Sequence, residues 1–148
     1  MKTKRKSILL VEDSQSDFEL AKRAFYKAGI TAPLVWVEDG AAALDYLSAS
    51  GQYTGRDPGD QPAFILLDLK LQCGDGLGFL NVLRRHPATR RLPVIILTTS
   101  NEEQDLATGY DLGVNSYIRK PVDFAQFACT MQKLAEYWLT LNEPPPVA

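Results

Sequence analysis

Three short apolar runs stand out along the chain: ILLV at 8–11, FILL at 64–67 and VIIL at 94–97. A weaker run, PLVWV at 33–37, falls between the first two, and SYI at 116–118 follows the third. None alternates apolar with polar positions, so each reads as a strand covered on both faces, the habit of a parallel sheet. Between them the period changes. Phe18, Ala21, Phe25 and Ala28 recur every three or four residues and stop at Gly29. Leu77, Leu80 and Leu83 do the same up to Pro87, and Leu106 and Tyr110 lead to Gly113. A last helix is predicted from about Asp123 to Asn142, ahead of the tail EPPPVA. This alternation of strand and helix predicts a doubly wound α/β domain.

The stretch SASGQYTGRDPGDQP at 48–62 is rich in Gly, Ser and Pro and reads as one long surface loop without chemistry of its own. A basic tail at 1–6, a single domain at 7–142 and a Pro-rich tail at 143–148 complete the division. Composition narrows the function classes. With 45% hydrophobic and 23% charged residues in 148, the chain is ordinary globular material. A formal charge of -2 offers no overall field for nucleic acid or anionic membrane, and the basic KTKRK start reads as a solvated tail. No run approaches the ~20 apolar residues of a membrane span, and the start does not form a signal peptide. Two cysteines and one histidine leave little room for zinc sites or for Ser-His-Asp and Cys-His catalysis. A cytoplasmic location follows from this composition.

The chemistry gathers where the strands end. In open α/β sheets ligands sit beyond the carboxyl ends of the strands. There the first strand gives Glu12 and Asp13, the third Asp68, the fourth Thr98 followed by Thr99 and Ser100, and the fifth Lys120 followed by Pro121. Each alone would pass for a polar strand end or a helix cap, as Asp13, Ser14 or Ser16 could be. Together they put three carboxylates at one rim, where they repel each other unless a hard cation joins them. Magnesium takes a few carboxylates and keeps room for substrate oxygens. A hydroxyl and an ammonium facing the same spot suit a phosphoryl group.

This ordered set resembles the receiver domain of two-component response regulators over roughly residues 7–140. The resemblance implies a five-stranded parallel sheet of order 2-1-3-4-5 with helices on both faces. It implies Asp68 as phosphoacceptor and Mg2+ bound by Glu12, Asp13, Asp68 and the backbone carbonyl of Lys70. It also implies Thr98 as the switch hydroxyl, Lys120 as the phosphate lysine, and a cis peptide before Pro121. Asp75–Gly76 corresponds to the turn opening the third helix, and Tyr117 to the aromatic that swings inward on activation. LLVEDSQSD, the long SASGQYTG loop, LDLKL, ILTTS and YWLTLNEPP further resemble the small regulators paired with phytochrome-type histidine kinases, which implies such a kinase as partner. Gln72 replaces a frequent proline. Lys70 stands where that subgroup often has asparagine, so its side chain either overhangs the site or faces solvent.

The function expected is therefore a non-enzymatic, single-domain regulator phosphorylated on Asp68, which then switches its helix 4–strand 5–helix 5 surface. The alternatives are a phosphatase-type hydrolase with an aspartate nucleophile, a flavodoxin-like cofactor module and a scaffold that is not phosphorylated. The hydrolase wants a second aspartate where Lys70 stands, and Glu12–Asp13 would repel the free phosphate of the cofactor module. Phe124, Phe127, Met131, Leu134, Trp138 and Leu141 repeat at three- and four-residue spacing. A helix of about 20 residues spans ~30 Å, longer than the ~17 Å of a five-residue strand. Its end should overhang the sheet, predicting a homodimer through Met131, Leu134, Tyr137, Trp138 and Leu141, the alternative being that the helix end folds onto the EPPPVA tail or a neighbouring loop.

Overall fold

A computed structural model describes residues 6–69, 71 and 76–146. The apolar runs form five parallel strands: β1 (Ile8–Val11), β2 (Leu34–Val37), β3 (Phe64–Leu67), β4 (Val94–Thr98) and β5 (Ser116–Arg119). Their order is β2-β1-β3-β4-β5. The helices are α1 (Gln15–Lys27), α2 (Gly40–Ser48), α3 (Gly76–Arg85), α4 (Glu103–Asp111) and α5 (Phe124–Glu136). Val11 is level with both Val37 and Leu67 in the ladder, so β1, β2 and β3 end together at one rim.

Successive side chains on a strand face opposite ways, and here both ways lead into a core. Leu9, Ile65, Leu67 and Ile96 meet Phe79, Leu80 and Leu83 of α3 on one face. Ile8, Leu10, Phe64, Leu66, Ile95 and Leu97 meet Ala21 and Phe25 of α1 with Phe127 and Met131 of α5 on the other. That double burial is why the runs do not alternate. Side-chain caps start three of the helices: Ser14 receives the Asp17 N–H, Asp39 that of Ala42, and Asp123 that of Gln126.

Four features differ from the sequence reading or refine it. Helix α5 runs on as one widened π turn, Tyr137–Leu141, so the helical path does reach the neighbourhood of Asn142. Met131 and Leu134, expected at a dimer seam, are only 0% and 6% exposed and belong to the chain's own core. Their turns of α5 still lie over the sheet, so neither is free to meet a second copy. In the π turn Tyr137 and Leu141 are exposed, while Trp138 is half-buried and packs against the same core. The 48–62 loop is tethered rather than loose. It contains a 3-10 turn, Gly51–Tyr53, and the Arg56 guanidinium donates to the carbonyls of Tyr46 and Asp60 while stacking 3.6 Å from the Tyr46 ring. No peptide among the described residues is cis, so Lys120–Pro121 is trans, unlike the form the resemblance implies.

Arg84 closes the opposite end of the domain. Its guanidinium donates to the carbonyls of Arg90, Leu92 and Gly113 at 2.9–3.0 Å, joining α3 to the loops that enter β4 and β5. Burial lowers its pKa.

Candidate functional site

The backbone sets the rim first. The Glu12 N–H donates to Val37 O at 3.0 Å, that of Asp68 to Val11 O at 3.1 Å, and that of Lys120 to Thr98 O at 2.8 Å. Each bond closes the ladder at the end of its strand, so Glu12 and Asp68 leave the sheet side by side and Lys120 leaves the same rim one strand beyond β4. The Trp36 indole N–H donates to the Glu12 carbonyl at 2.6 Å, and its ring stacks on Phe18 at 4.4 Å. Strand β2 and helix α1 thereby clamp the turn that carries Glu12.

At this rim the Lys120 ammonium lies 3.2 Å from Asp68 Oδ2, 3.3 Å from Glu12 Oε2 and 3.5 Å from Asp17 Oδ2. Among the described residues, Glu12, Asp17 and Asp68 are the carboxylates that bring oxygens within 4.8 Å of one another. Asp17 was not foreseen. Its only sequence signal is the Ser14-x-x-Asp17 pattern of a capped helix start, which says nothing about Lys120. Asp13, half-buried and with interactions of its own, is not one of the three. Lys70, Gln72 and Asp75 lie outside the described residues. Gly76 is described, and a Cβ there would stand 2.7 Å from the Asp68 carbonyl oxygen.

Electrostatics mark this rim as unusual. Burial, then the hydrogen bond with Asp68, pushes the Glu12 carboxyl up to about 8, against the pull of Lys120. Burial pulls the Lys120 ammonium down, but Asp68, Glu12 and Asp17 together outweigh it and raise its pKa. One ammonium is too little charge for so many carboxylates. The donors are hard oxygens, the set that a divalent cation such as magnesium or manganese takes. Beside them a cavity of about 190 Å3 runs between Asp68 and Lys120 on one side and Leu20, Val122 and Phe127 on the other. The larger cavity, about 730 Å3, opens at the opposite end of the sheet between Ile30, Ala63, Trp138 and Leu139, away from these carboxylates.

Thr98 is fully buried at the end of β4, and its Oγ1 accepts the Ser100 N–H at 3.3 Å. The Tyr117 hydroxyl donates to the Ser100 carbonyl at 3.3 Å. Ser100 Oγ in turn donates to Asp105 Oδ2 at 2.7 Å, tying the loop to the first turn of α4. The expected switch pair therefore meets through Ser100, which the sequence presented only as a neighbour of Thr98.

The model of the response regulator receiver domain matches residues 8–132. The chain is 41% identical over 138 residues to the probable methanogenesis regulatory protein FilR2 of Methanothrix harundinacea, covering 93% of this chain and 86% of that one. It superposes on the Mn(2+)-bound form of response regulator Rcp1 with a TM-score of 0.84 at 35% identity, over 95% of this chain and 99% of that one. Rcp1 comes from Synechocystis. The bacteriophytochrome response regulator RtBRR is 45% identical, with a TM-score of 0.77 over 97% of this chain and 86% of that one. By fold, by the carboxylate–lysine rim and by these matches, the chain belongs to the response regulator receiver family.

Proposed function

We propose that Asp68 accepts a phosphoryl group from a sensor histidine kinase of the phytochrome type, in a Mg2+-dependent step in the cytoplasm. The observation that carries this is the convergence of Asp68, Glu12 and Lys120 at the carboxyl rim of the sheet, with Lys120 3.2 Å from Asp68. The phytochrome assignment rests on relatives such as RtBRR and the phytochrome response regulator RcpA, 35% identical with a TM-score of 0.87. In the transfer an Asp68 oxygen forms the new O–P bond as the N–P bond of the donor phosphohistidine breaks and the imidazole leaves. Asp68, Glu12, Asp13 and the Lys70 carbonyl are the groups that would hold Mg2+. When bound, the ion neutralises charge on the transferring oxygens. Lys120 supplies the second positive charge, and most of the work is positioning.

Thr98, at the end of β4, is the hydroxyl assigned to receive the new oxygens, and Tyr117 reports its movement through the Ser100 carbonyl. A charge gained at Asp68 thus selects one packing of α4, β5 and α5. The exposed Tyr137 and Leu141 with Trp138 support a homodimer through the end of α5, built on these three residues without Met131 and Leu134. Sedimentation of the wild type and of Trp138→Glu tests that contact, which a monomeric wild type at micromolar concentration would defeat.

The central test is phosphorylation by acetyl phosphate or phosphorylated kinase with magnesium, for wild type and Asp68→Asn. Labelling should be lost in the variant and on chelation of magnesium; equal labelling of Asp68→Asn would overturn the assignment. A panel of histidine kinases should show fastest transfer from a phytochrome-type donor.

A further inference from the structure

We infer that Asp17 is a positioning residue that holds the Lys120 ammonium back from the phosphoryl group and so limits how tightly the site takes that group. The inference rests on Asp68 as acceptor, and its test is arranged to fail separately from that reading.

Lys120 has three ammonium protons to give, and three carboxylates surround it: Asp68 at 3.2 Å, Glu12 at 3.3 Å and Asp17 at 3.5 Å. The contacts are not equivalent. Glu12 and Asp68 approach from the sheet rim with side chains 3% and 10% exposed. Asp17 approaches from α1 with its side chain 42% exposed, at the mouth of the cavity that leads to Asp68. Once Asp68 carries a phosphoryl group, its own share of Lys120 passes to adjacent phosphoryl oxygens. The pull of Asp17 comes from α1 and competes with those oxygens for the ammonium. The anionic Asp17 also faces an arriving dianion, so both effects have the same sign. Its place is set by the helix start, since Ser14 Oγ receives the Asp17 N–H at 3.2 Å. An Asn there keeps that N–H and hence the cap.

Beryllofluoride, a non-covalent stand-in for the phosphoryl group, allows an equilibrium test on the full chain. Its binding with Mg2+ is followed by 19F NMR for wild type, Asp17→Asn, Asp17→Glu and Asp68→Asn, with Glu19→Gln as a charge control on the same helix. Magnesium binding alone is measured for each. Asp17→Asn should tighten beryllofluoride by about twofold to fivefold, the scale of a partly exposed ion contact. Asp17→Glu and Glu19→Gln should stay near wild type, and magnesium affinity should not change in Asp17→Asn. Unchanged or weaker beryllofluoride binding in Asp17→Asn would overturn the inference. So would a loss of magnesium affinity, which would make Asp17 a metal-side carboxylate. If folded wild type binds no beryllofluoride, the acceptor reading itself fails and takes this inference with it.

Discussion

Glu12 is 2% exposed, and its carboxyl is pushed up to about 8 from an ordinary 4.5 by burial first and then by Asp68. Between those two values folded Glu12 keeps a proton that the unfolded chain has released. Folding takes up a proton in that window, so stability is fully present below about 4.5 and is lost as the pH rises towards 8. At ~1.36 kcal/mol per pKa unit the whole shift is worth about 5 kcal/mol. That is a ceiling, because the hydrogen bond with Asp68 ties the Glu12 carboxyl to its neighbour. Glu12→Gln keeps the shape and removes the charge. Chelated wild type and variant should therefore unfold at similar urea near pH 5. By pH 8.5 the variant should be the more stable by ~2–4 kcal/mol, about 4–16 °C in Tm for a chain of this size. A divalent cation favours the ionised carboxylates and should narrow the gap by mass action. Urea unfolding followed by circular dichroism across this range measures it. A gap that is constant with pH, or that opens towards acid, would refute the reasoning.

Three further outcomes follow from single contacts. Trp36→Phe keeps a ring to stack on Phe18 but loses the indole donor to Glu12 O, and should cost about 1 kcal/mol in urea unfolding; an unchanged midpoint would contradict the clamp. Arg84→Met leaves the carbonyls of Arg90, Leu92 and Gly113 without their shared donor, for a loss of roughly 2–3 kcal/mol by thermal unfolding. Gly76→Ala would place a Cβ 2.7 Å from Asp68 O and 3.0 Å from Leu69 Cα, so the loop must shift. It should destabilise by about 1–3 kcal/mol and slow phosphorylation of Asp68, which wild-type labelling kinetics would disprove.

Strands and their chemistry were legible because both depend on local pattern. A strand buried on two faces must be apolar without interruption, and a parallel sheet aligns its carboxyl ends. Glu12, Asp68, Thr98 and Lys120 could therefore be picked out by where each run stops. The strand order came from resemblance, and the ladder bears it out.

What only the tertiary structure decided is which neighbours distant segments acquire. Asp17 enters the site because the Lys120 ammonium, far along the chain, reaches the first turn of α1, and the sequence around Asp17 announces only a helix cap. Ser100 links Tyr117 to α4 because the β4–α4 loop comes within reach of the Tyr117 hydroxyl on β5. Along α5 one repeating stripe runs from Phe124 to Leu141, yet Met131 is sealed and Leu141 is 71% exposed. Periodicity records which side of a helix is apolar. How far along its length that side is covered depends on the height of the sheet beneath it, set by packing between segments far apart in the chain.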